Sequence, residues 1–119
     1  MYLLSSLGRV PLALKPLHTN ELRHRGFMGW SSPPNDHYGM IFLHTHEHPQ
    51  SYWMHTVPFD IDCLGFDKHN RLVEVMTLNA LSKASRSFMR AVRHVVEVRG
   101  GWCKDHGVIT GSKLTVRKL

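Results

Sequence analysis

Two short apolar runs joined by a tight polar turn constrain the fold of this chain more than any other feature. Residues 61–66 (I-D-C-L-G-F) and 71–78 (R-L-V-E-V-M-T-L) are both typical of strands. Between them, Asp67-Lys-His-Asn70 supplies the acid and amide side chains that tolerate turn geometry. The pattern predicts a β-hairpin.

Other short runs extend this hairpin into a larger sheet. Thr19 or Asn20 is a plausible N-cap for a short helix through Arg25 closed by Gly26, and a second helical turn at 102–106 is closed by Gly107. The pattern does not alternate strands with helices as β-α-β units do, and this favours antiparallel pairing. We therefore predict a mainly β domain with two short helices, on the border of the α+β class, in which a small closed or partly closed antiparallel β-barrel hides the strand edges. Its other predicted strands are 10–15, 39–44, 51–55, 94–99 and 113–119.

Length and composition indicate one ordinary globular domain. The chain has 119 residues, 42% of them hydrophobic and 20% charged, which suits a modest core and argues against wholesale disorder. We predict a single domain over residues 1–119, with residues 1–9 as a candidate frayed segment. No apolar stretch has the length of a signal peptide or a membrane span, so we expect a cytoplasmic protein without a membrane partner.

The charge balance favours anionic partners. Lys and Arg number 15 against 9 Asp and Glu, a formal net charge of +6, which also simply aids solubility. A mild basic cluster makes a nucleic-acid-associated accessory protein one hypothesis, although no compact basic run or interleaved aromatic platform accompanies it. A solvated face is the alternative. The cluster consists of Lys83, Arg86, Arg90 and Arg93.

Cysteine and glycine patterns exclude several classes of site. Cys63 and Cys103 form no C-x-x-C motif, so neither a disulfide framework nor a zinc knuckle is indicated, although a single bridge between them stays open. The chain has no P-loop and no G-x-G-x-x-G fingerprint. We expect no cofactor.

Three alternating histidines are candidates for a metal site. His44, His46 and His48 would share one face if the strand before them continued. Pro49 indicates that pairing has ended by then. A solvated loop rich in histidine is the other interpretation.

The stretch Ser51–Asp67 carries the best candidates for a functional site. Trp53, Met54, His55 and Asp62 bring aromatic, titratable and acidic groups together in one run, and we predict that they contact a ligand. His55 and Asp62 are also the catalytic candidates, since a His–Asp pair acts as a general base, orients a water or binds a cation. In the alternative, Asp62 accepts backbone hydrogen bonds across the bend at Pro58, and His55 is partly exposed.

Four segments occur in the order found in one family of small proteins. On these motifs the chain resembles domain-of-unknown-function family 192 over about residues 10–119. The resemblance implies a compact, mostly β, barrel-like fold and no particular activity, because the family has none established. The segments are E-L-R-H-R-G-F-M at Glu21–Met28, G-M-I-F at Gly39–Phe42, W-M-H-T-V-P-F-D-I-D at Trp53–Asp62, and V-V-E-V-R-G-G-W at Val95–Trp102 with His106-Gly107 and Gly111 downstream.

The chain departs from the family pattern inside the candidate site. His55-Thr56 stands where the family has Lys-Asn, so a group that titrates near neutrality replaces a permanent cation. Cys63 and Ser112 replace an apolar residue and an Asp, respectively. Many family members also begin with a secretion signal, which this sequence does not show.

Three functions follow as hypotheses. We expect a non-enzymatic ligand-binding or accessory domain for an unknown small ligand or protein. The first alternative is a metal-assisted hydrolase-like enzyme that uses His55 and Asp62 with a metal from the His44–His48 run. The second is the basic nucleic-acid-associated protein.

Overall fold

Our computed structural model describes residues 2–5, 8–44, 51–52, 54 and 56–116. This part of the chain forms ten strands and two short helices. In chain order they are β1 (Tyr2–Ser5), β2 (Gly8–Pro11), β3 (Ala13–Leu17), α1 (Asn20–Arg25), β4 (Tyr38–Phe42), β5 (Ser51–Tyr52), β6 (Ile61–Phe66), β7 (Leu72–Leu78), β8 (Arg86–Ser87), β9 (His94–Arg99), α2 (Trp102–His106) and β10 (Lys113–Thr115).

A five-stranded sheet in the order β3-β4-β9-β6-β7 organises the molecule. Strands β6 and β7 form the predicted hairpin, in which Cys63 pairs with Met76. Strand β9 lies between β4 and β6 and is antiparallel to both. The central strands are buried on both faces, which explains their nearly continuous apolar runs.

The structure corrects the prediction of an antiparallel barrel, although the class of a mainly β domain with two short helices is confirmed. Strand β3 pairs with β4 in parallel, because α1 lies on the crossover between them and returns the chain in the same direction. The five-stranded sheet is therefore mixed. It is also open, since its edge strands β3 and β7 do not pair with each other within the described residues.

A second sheet joins the two ends of the chain in the order β10-β1-β2. Strand β1 lies within residues 1–9, the segment predicted as a candidate frayed end. Its residue Leu3 pairs with Leu114. The first predicted strand, at 10–15, is divided between β2 and β3 at the buried residue Leu12. The edge strand β7 meets this sheet through one bridge, between Arg71 and Lys113.

Local capping explains where both helices begin and end. The hydroxyl of Thr19 accepts a hydrogen bond from the backbone N–H of Leu22 (3.1 Å), and Gly26 closes α1, as predicted. Helix α2 follows Gly101, whose φ of 83° suits glycine, and this residue supplies no side-chain cap. The missing cap comes from elsewhere in the fold.

The five-stranded sheet carries a hydrophobic core on each face. In β9, Val95 packs into the first core, under α1, while Val96 packs into the second, under α2. The same alternation places Cys63 in the first core and Cys103 in the second. Both cysteines are buried. No disulfide joins them, because the sheet lies between them.

Among the residues described, neither helix is long and apolar enough to cross a membrane.

Candidate functional site

A pocket of about 620 Å³ opens where the first core meets the C-terminal end of α1. Binding sites for small molecules commonly fall in the range of about 300–1,000 Å³. The sheet contributes Phe42, Ile61 and Glu97 to the lining, and the segment after β5 contributes Met54 and Val57. Most of the lining surface is apolar, and polar or basic side chains supply the rest.

Glu97 is the buried acid of this pocket. It lies in the middle of β9, only 5% exposed, and its Oε2 accepts a hydrogen bond from the thiol of Cys63 at 3.2 Å. Burial raises the pKa of Glu97 to about 7, while the bond from Cys63 lowers it and so opposes part of this effect. Both the neutral and the ionised carboxyl are therefore populated near neutral pH.

Cys63 serves this carboxyl as a donor. Burial raises the pKa of the thiol well above its ordinary value, and the charge of Glu97 and the hydrogen bond to it raise the pKa further. The thiol consequently stays protonated at physiological pH. A protonated thiol donates a hydrogen bond but is a poor nucleophile.

Tyr52 brings a second buried polar group to the pocket. Its hydroxyl oxygen is buried and has no hydrogen-bond partner among the residues that the structure describes. Burial raises the pKa of Tyr52, and Cys63 and Glu97 would raise it further when they ionise, so the phenol stays neutral. Its ring packs edge-to-face against Phe42, with the ring centroids 5.3 Å apart.

Helix α1 forms the wall opposite the sheet. Arg23 fixes this helix to the sheet, because its Nη1 donates to the carbonyl oxygen of Leu43 at 3.1 Å. At the end of the helix, a Cβ on Gly26 would lie 3.7 Å from Oε1 of Glu97 and 3.8 Å from the ring of Phe42. The absence of a side chain at residue 26 therefore keeps the approach to the buried carboxyl open.

Basic and hydroxyl side chains surround the pocket at its exposed end. His24, Arg25, Thr56 and Ser85 line it and are solvent-exposed. The pocket thus has a titratable acid at its buried end and the basic residues His24 and Arg25 at its mouth. A molecule that spans it meets opposite electrostatic environments at its two ends.

The structure places only part of the predicted ligand site at this pocket. Met54 is buried and lines it. Trp53 and His55, on either side of Met54, lie outside the described residues.

The structure places Asp62 on the opposite face of the sheet, away from Met54. Its Oδ1 accepts from the N–H of Gly101 (3.2 Å) and the hydroxyl of Thr77 (3.0 Å), and its Oδ2 accepts from the N–H of Cys103 (3.1 Å). Asp62 thereby caps α2, for which Gly101 offers no side chain. Asp62 is therefore an acceptor of backbone hydrogen bonds, as in the alternative interpretation, but the donors lie at the start of α2 and not across the bend at Pro58.

The histidine run is only partly described. His44 lines the pocket, whereas His46 and His48 lie outside the described residues. Over the described part of the chain, no three His, Cys, Asp or Glu side chains are grouped so that they could hold a metal ion. The metal hypothesis therefore stays a prediction.

Three residues of the pocket were not predicted as site residues from the sequence: Glu97, Tyr52 and Gly26. For Glu97 a signal existed, because an acid interrupts the apolar run V-V-E-V of a strand that is buried on both faces. A buried charge of this kind is more informative than an exposed one. Nothing local marked Tyr52 or Gly26, since their roles depend on the packing of α1 and β5 against the sheet.

Two solved structures share this fold. A "putative transcription regulator" from Sinorhizobium meliloti 1021 has a TM-score of 0.89 and 22% sequence identity, over 96% of this chain and 89% of its own. A protein of unknown function from Novosphingobium aromaticivorans DSM 12444 has a TM-score of 0.88 and 20% identity, over 97% of this chain and 82% of its own. At these identities the likeness concerns the fold.

The remaining comparisons concern sequence. None of the curated proteins matches this chain. A family model matches residues 5–116 and therefore nearly the whole sequence. The chain belongs to DUF192, the domain-of-unknown-function family described as "Uncharacterized ACR".

Proposed function

We propose that this protein is a non-enzymatic binding domain for a small molecule, which it holds in the pocket between α1 and the five-stranded sheet. The observation that carries the proposal is the carboxyl of Glu97, buried at the inner end of a mostly apolar pocket. A buried acid whose pKa is raised to about 7 destabilises the fold once it ionises. The stability of the fold therefore does not account for an acid at this position. A ligand group that donates a hydrogen bond to the carboxyl does account for it.

The shape and the lining support the same function. A volume of about 620 Å³ accommodates a molecule with a sizeable apolar body. Phe42, Met54 and Val57 supply buried apolar surface for this body. The hydroxyl of Tyr52 supplies a second polar contact, because a buried hydroxyl without a partner gains a hydrogen bond when a ligand provides one.

The chemistry of the groups at the pocket favours binding over catalysis. The thiol of Cys63 and the phenol of Tyr52 are both held in their neutral forms, which makes them poor nucleophiles or bases. Asp62 lies across the sheet and is engaged by α2. We retain Trp53 and His55 as proposed ligand contacts beside Met54.

Fluorescence of 1-anilinonaphthalene-8-sulfonate tests this function, since this probe has an aromatic body and an anionic end. We expect saturable binding with one probe per protein molecule. The variant Thr56→Trp, which places a bulky ring at the mouth, should weaken binding at least tenfold. Thr110→Trp changes an exposed threonine outside the pocket lining and should bind as the wild type does. No binding, or equal binding by Thr56→Trp, contradicts the proposal.

The basic segment supports a second candidate, association with nucleic acid. Lys83 and Arg90 are exposed, and Met89 between them is 93% exposed. The Sinorhizobium meliloti protein described as a putative transcription regulator has the same fold. Arg86 supports the idea less, because its Nη1 donates to the carbonyl oxygen of Thr77 at 2.7 Å.

Binding to a mixed oligonucleotide pool at several salt concentrations tests this candidate. Phosphate contacts predict an affinity that falls as salt rises. The double variant Lys83→Glu/Arg90→Glu should abolish binding, whereas Lys15→Glu/Lys104→Glu makes the same charge change at exposed sites elsewhere. Salt-independent binding, or an equal effect of both double variants, would argue against the candidate.

A further inference from the structure

The pocket has an acidic group at one end and basic groups at the other, and this asymmetry restricts the ligand. The carboxyl of Glu97 lies at the buried end. His24 and Arg25 lie at the exposed end, where α1 terminates. We propose that the ligand is a zwitterion: a protonated amine that reaches Glu97 and an anionic group that contacts the basic mouth, joined by an apolar spacer. This inference rests on the proposed function.

The buried end suits an ammonium group better than any other donor. An ammonium forms a charge-assisted hydrogen bond with a carboxylate, which is about twice as strong as a neutral one. Phe27, Phe42 and Tyr52 also line the pocket, and aromatic rings attract organic cations. Gly26 leaves Oε1 of Glu97 accessible from the side of α1, since a Cβ there would lie 3.7 Å from that oxygen.

The mouth disfavours a ligand that carries only a positive charge. Arg23 and His44 line the pocket together with the exposed His24 and Arg25, and the whole protein has a formal net charge of +6. The basic side chains would repel a simple amine, because such an amine carries no anionic group to offset the repulsion. An anionic group on the same molecule, a carboxylate or a phosphate, reverses the sign of that interaction.

The buried end in turn disfavours a ligand that carries only a negative charge. An apolar anion could place its charge at Arg25 and its body against Phe42 and Met54. It would leave Glu97 without a donor from the ligand, and the carboxyl would have to stay protonated. A zwitterion satisfies both ends, and this complementarity distinguishes it from either ion alone.

Four probes with the same eight-carbon body test the inference: 8-aminooctanoate, octylamine, octanoate and 1-octanol. Each is titrated into ¹⁵N-labelled protein at pH 7.5, and dissociation constants are read from the amide shifts of Gly26, Val57 and Glu97. We expect 8-aminooctanoate to bind at least tenfold more tightly than each of the other three. Equal or tighter binding of octylamine or octanoate, or no binding of 8-aminooctanoate, overturns the inference.

Two variants separate the two ends of the ligand. Glu97→Gln should weaken 8-aminooctanoate and octylamine at least tenfold and leave octanoate unchanged or tighter. Arg25→Ala should weaken 8-aminooctanoate and octanoate but not octylamine. Lys104→Ala removes a charge from an exposed residue outside the pocket lining and should change none of the affinities. The same loss with Lys104→Ala as with Arg25→Ala would show that only the net charge matters and would overturn the inference.

The two proposals fail in different ways. If 1-anilinonaphthalene-8-sulfonate binds and Thr56→Trp blocks it while octanoate matches 8-aminooctanoate, the pocket binds ligands but does not select zwitterions. If the fluorescent probe binds Thr56→Trp as tightly as the wild type, the binding function itself fails.

Discussion

The Sγ atom of Cys63 lies 3.2 Å from Oε2 of Glu97, on two neighbouring strands at the centre of the sheet. The two residues are direct partners in the register of β6 and β9, so their side chains leave the same face together. Each changes the ionisation of the other, because the thiol donates to the carboxyl and the carboxylate raises the pKa of the thiol. This polar pair inside an apolar core gives the fold a measurable dependence on pH.

Replacing Glu97 by glutamine should remove that dependence. The pKa of Glu97 is about 7 in the fold against an ordinary 4.5, so the folded state retains the proton over this window and loses stability as the pH rises through it. The full effect above pH 7 corresponds to about 3 kcal/mol. We expect Glu97→Gln to unfold at higher urea than the wild type at pH 8 and to show no such advantage at pH 4.5.

Urea denaturation at pH 4.5, 6 and 8 checks this prediction. Glu21→Gln is the matched control, because it makes the same change at an exposed acid in the first turn of α1. Its stability should follow the pH dependence of the wild type. Parallel curves for the wild type and Glu97→Gln would contradict the assignment of a raised pKa.

Two substitutions of Cys63 should move the pKa of Glu97 in opposite directions. The thiol lowers the pKa of Glu97 by its hydrogen bond, in opposition to burial. A serine hydroxyl is a stronger donor, so Cys63→Ser should lower this pKa. Cys63→Ala removes the donor and should raise it.

The carboxyl ¹³C shift of Glu97, followed from pH 4 to pH 9, measures these changes. Cys103→Ser replaces the other buried cysteine, which lies in the core across the sheet, and should leave the titration of Glu97 in place. The same titration curve in Cys63→Ser and Cys63→Ala would show that the contact does not influence the carboxyl.

Removing the carboxylate of Asp62 should destabilise α2. Asp62→Ala leaves the N–H groups of Gly101 and Cys103 and the hydroxyl of Thr77 without their acceptor. We expect a loss of about 3 kcal/mol or more in the free energy of unfolding. Asp62→Asn retains one carbonyl oxygen and should lose less.

Urea denaturation together with hydrogen exchange at the Cys103 amide checks this prediction. Asp60→Ala provides the comparison, since its carboxylate accepts one backbone hydrogen bond, from Ala80, at an exposed position. It should lose about 1 kcal/mol. Faster exchange at Cys103 should occur in Asp62→Ala alone, and unchanged exchange there would contradict the capping role.

Adding a methyl group at Gly65 should overpack the first core. A Cβ at this position would lie 2.6 Å from Cγ1 of Val92 and 3.0 Å from Cε1 of Phe88. Gly65→Ala should therefore destabilise the fold by about 1–3 kcal/mol. Thermal unfolding measures the loss.

A double variant shows whether that collision is the cause. Val92→Ala removes the methyl groups that the new Cβ would meet and leaves a void when present alone. In Gly65→Ala/Val92→Ala the two changes should compensate, so that the loss is smaller than the sum of the single losses. Strict additivity would place the cause elsewhere.

Local sequence signals determined where several helices and strands lie along the chain. The hairpin of β6 and β7 followed from two apolar runs and the turn at Asp67–Asn70. Helix α1 followed from the caps Thr19 and Gly26, which satisfy backbone groups within one turn. Strand β9 followed from its apolar run, and α2 from its closing glycine, Gly107.

Tertiary structure decided the sheet order and the site. Strand β3 pairs in parallel with β4, since the connection through α1 returns the chain in the same direction, so the antiparallel barrel was wrong. Asp62 and Cys63 are adjacent in sequence, and the period of a strand places them on opposite faces. Which face received the pocket depended on how α1 and α2 cover the sheet. The contact between Cys63 and Glu97 joins residues 34 positions apart in the sequence. Local propensities do not predict this contact, because the pairing of distant strands creates it.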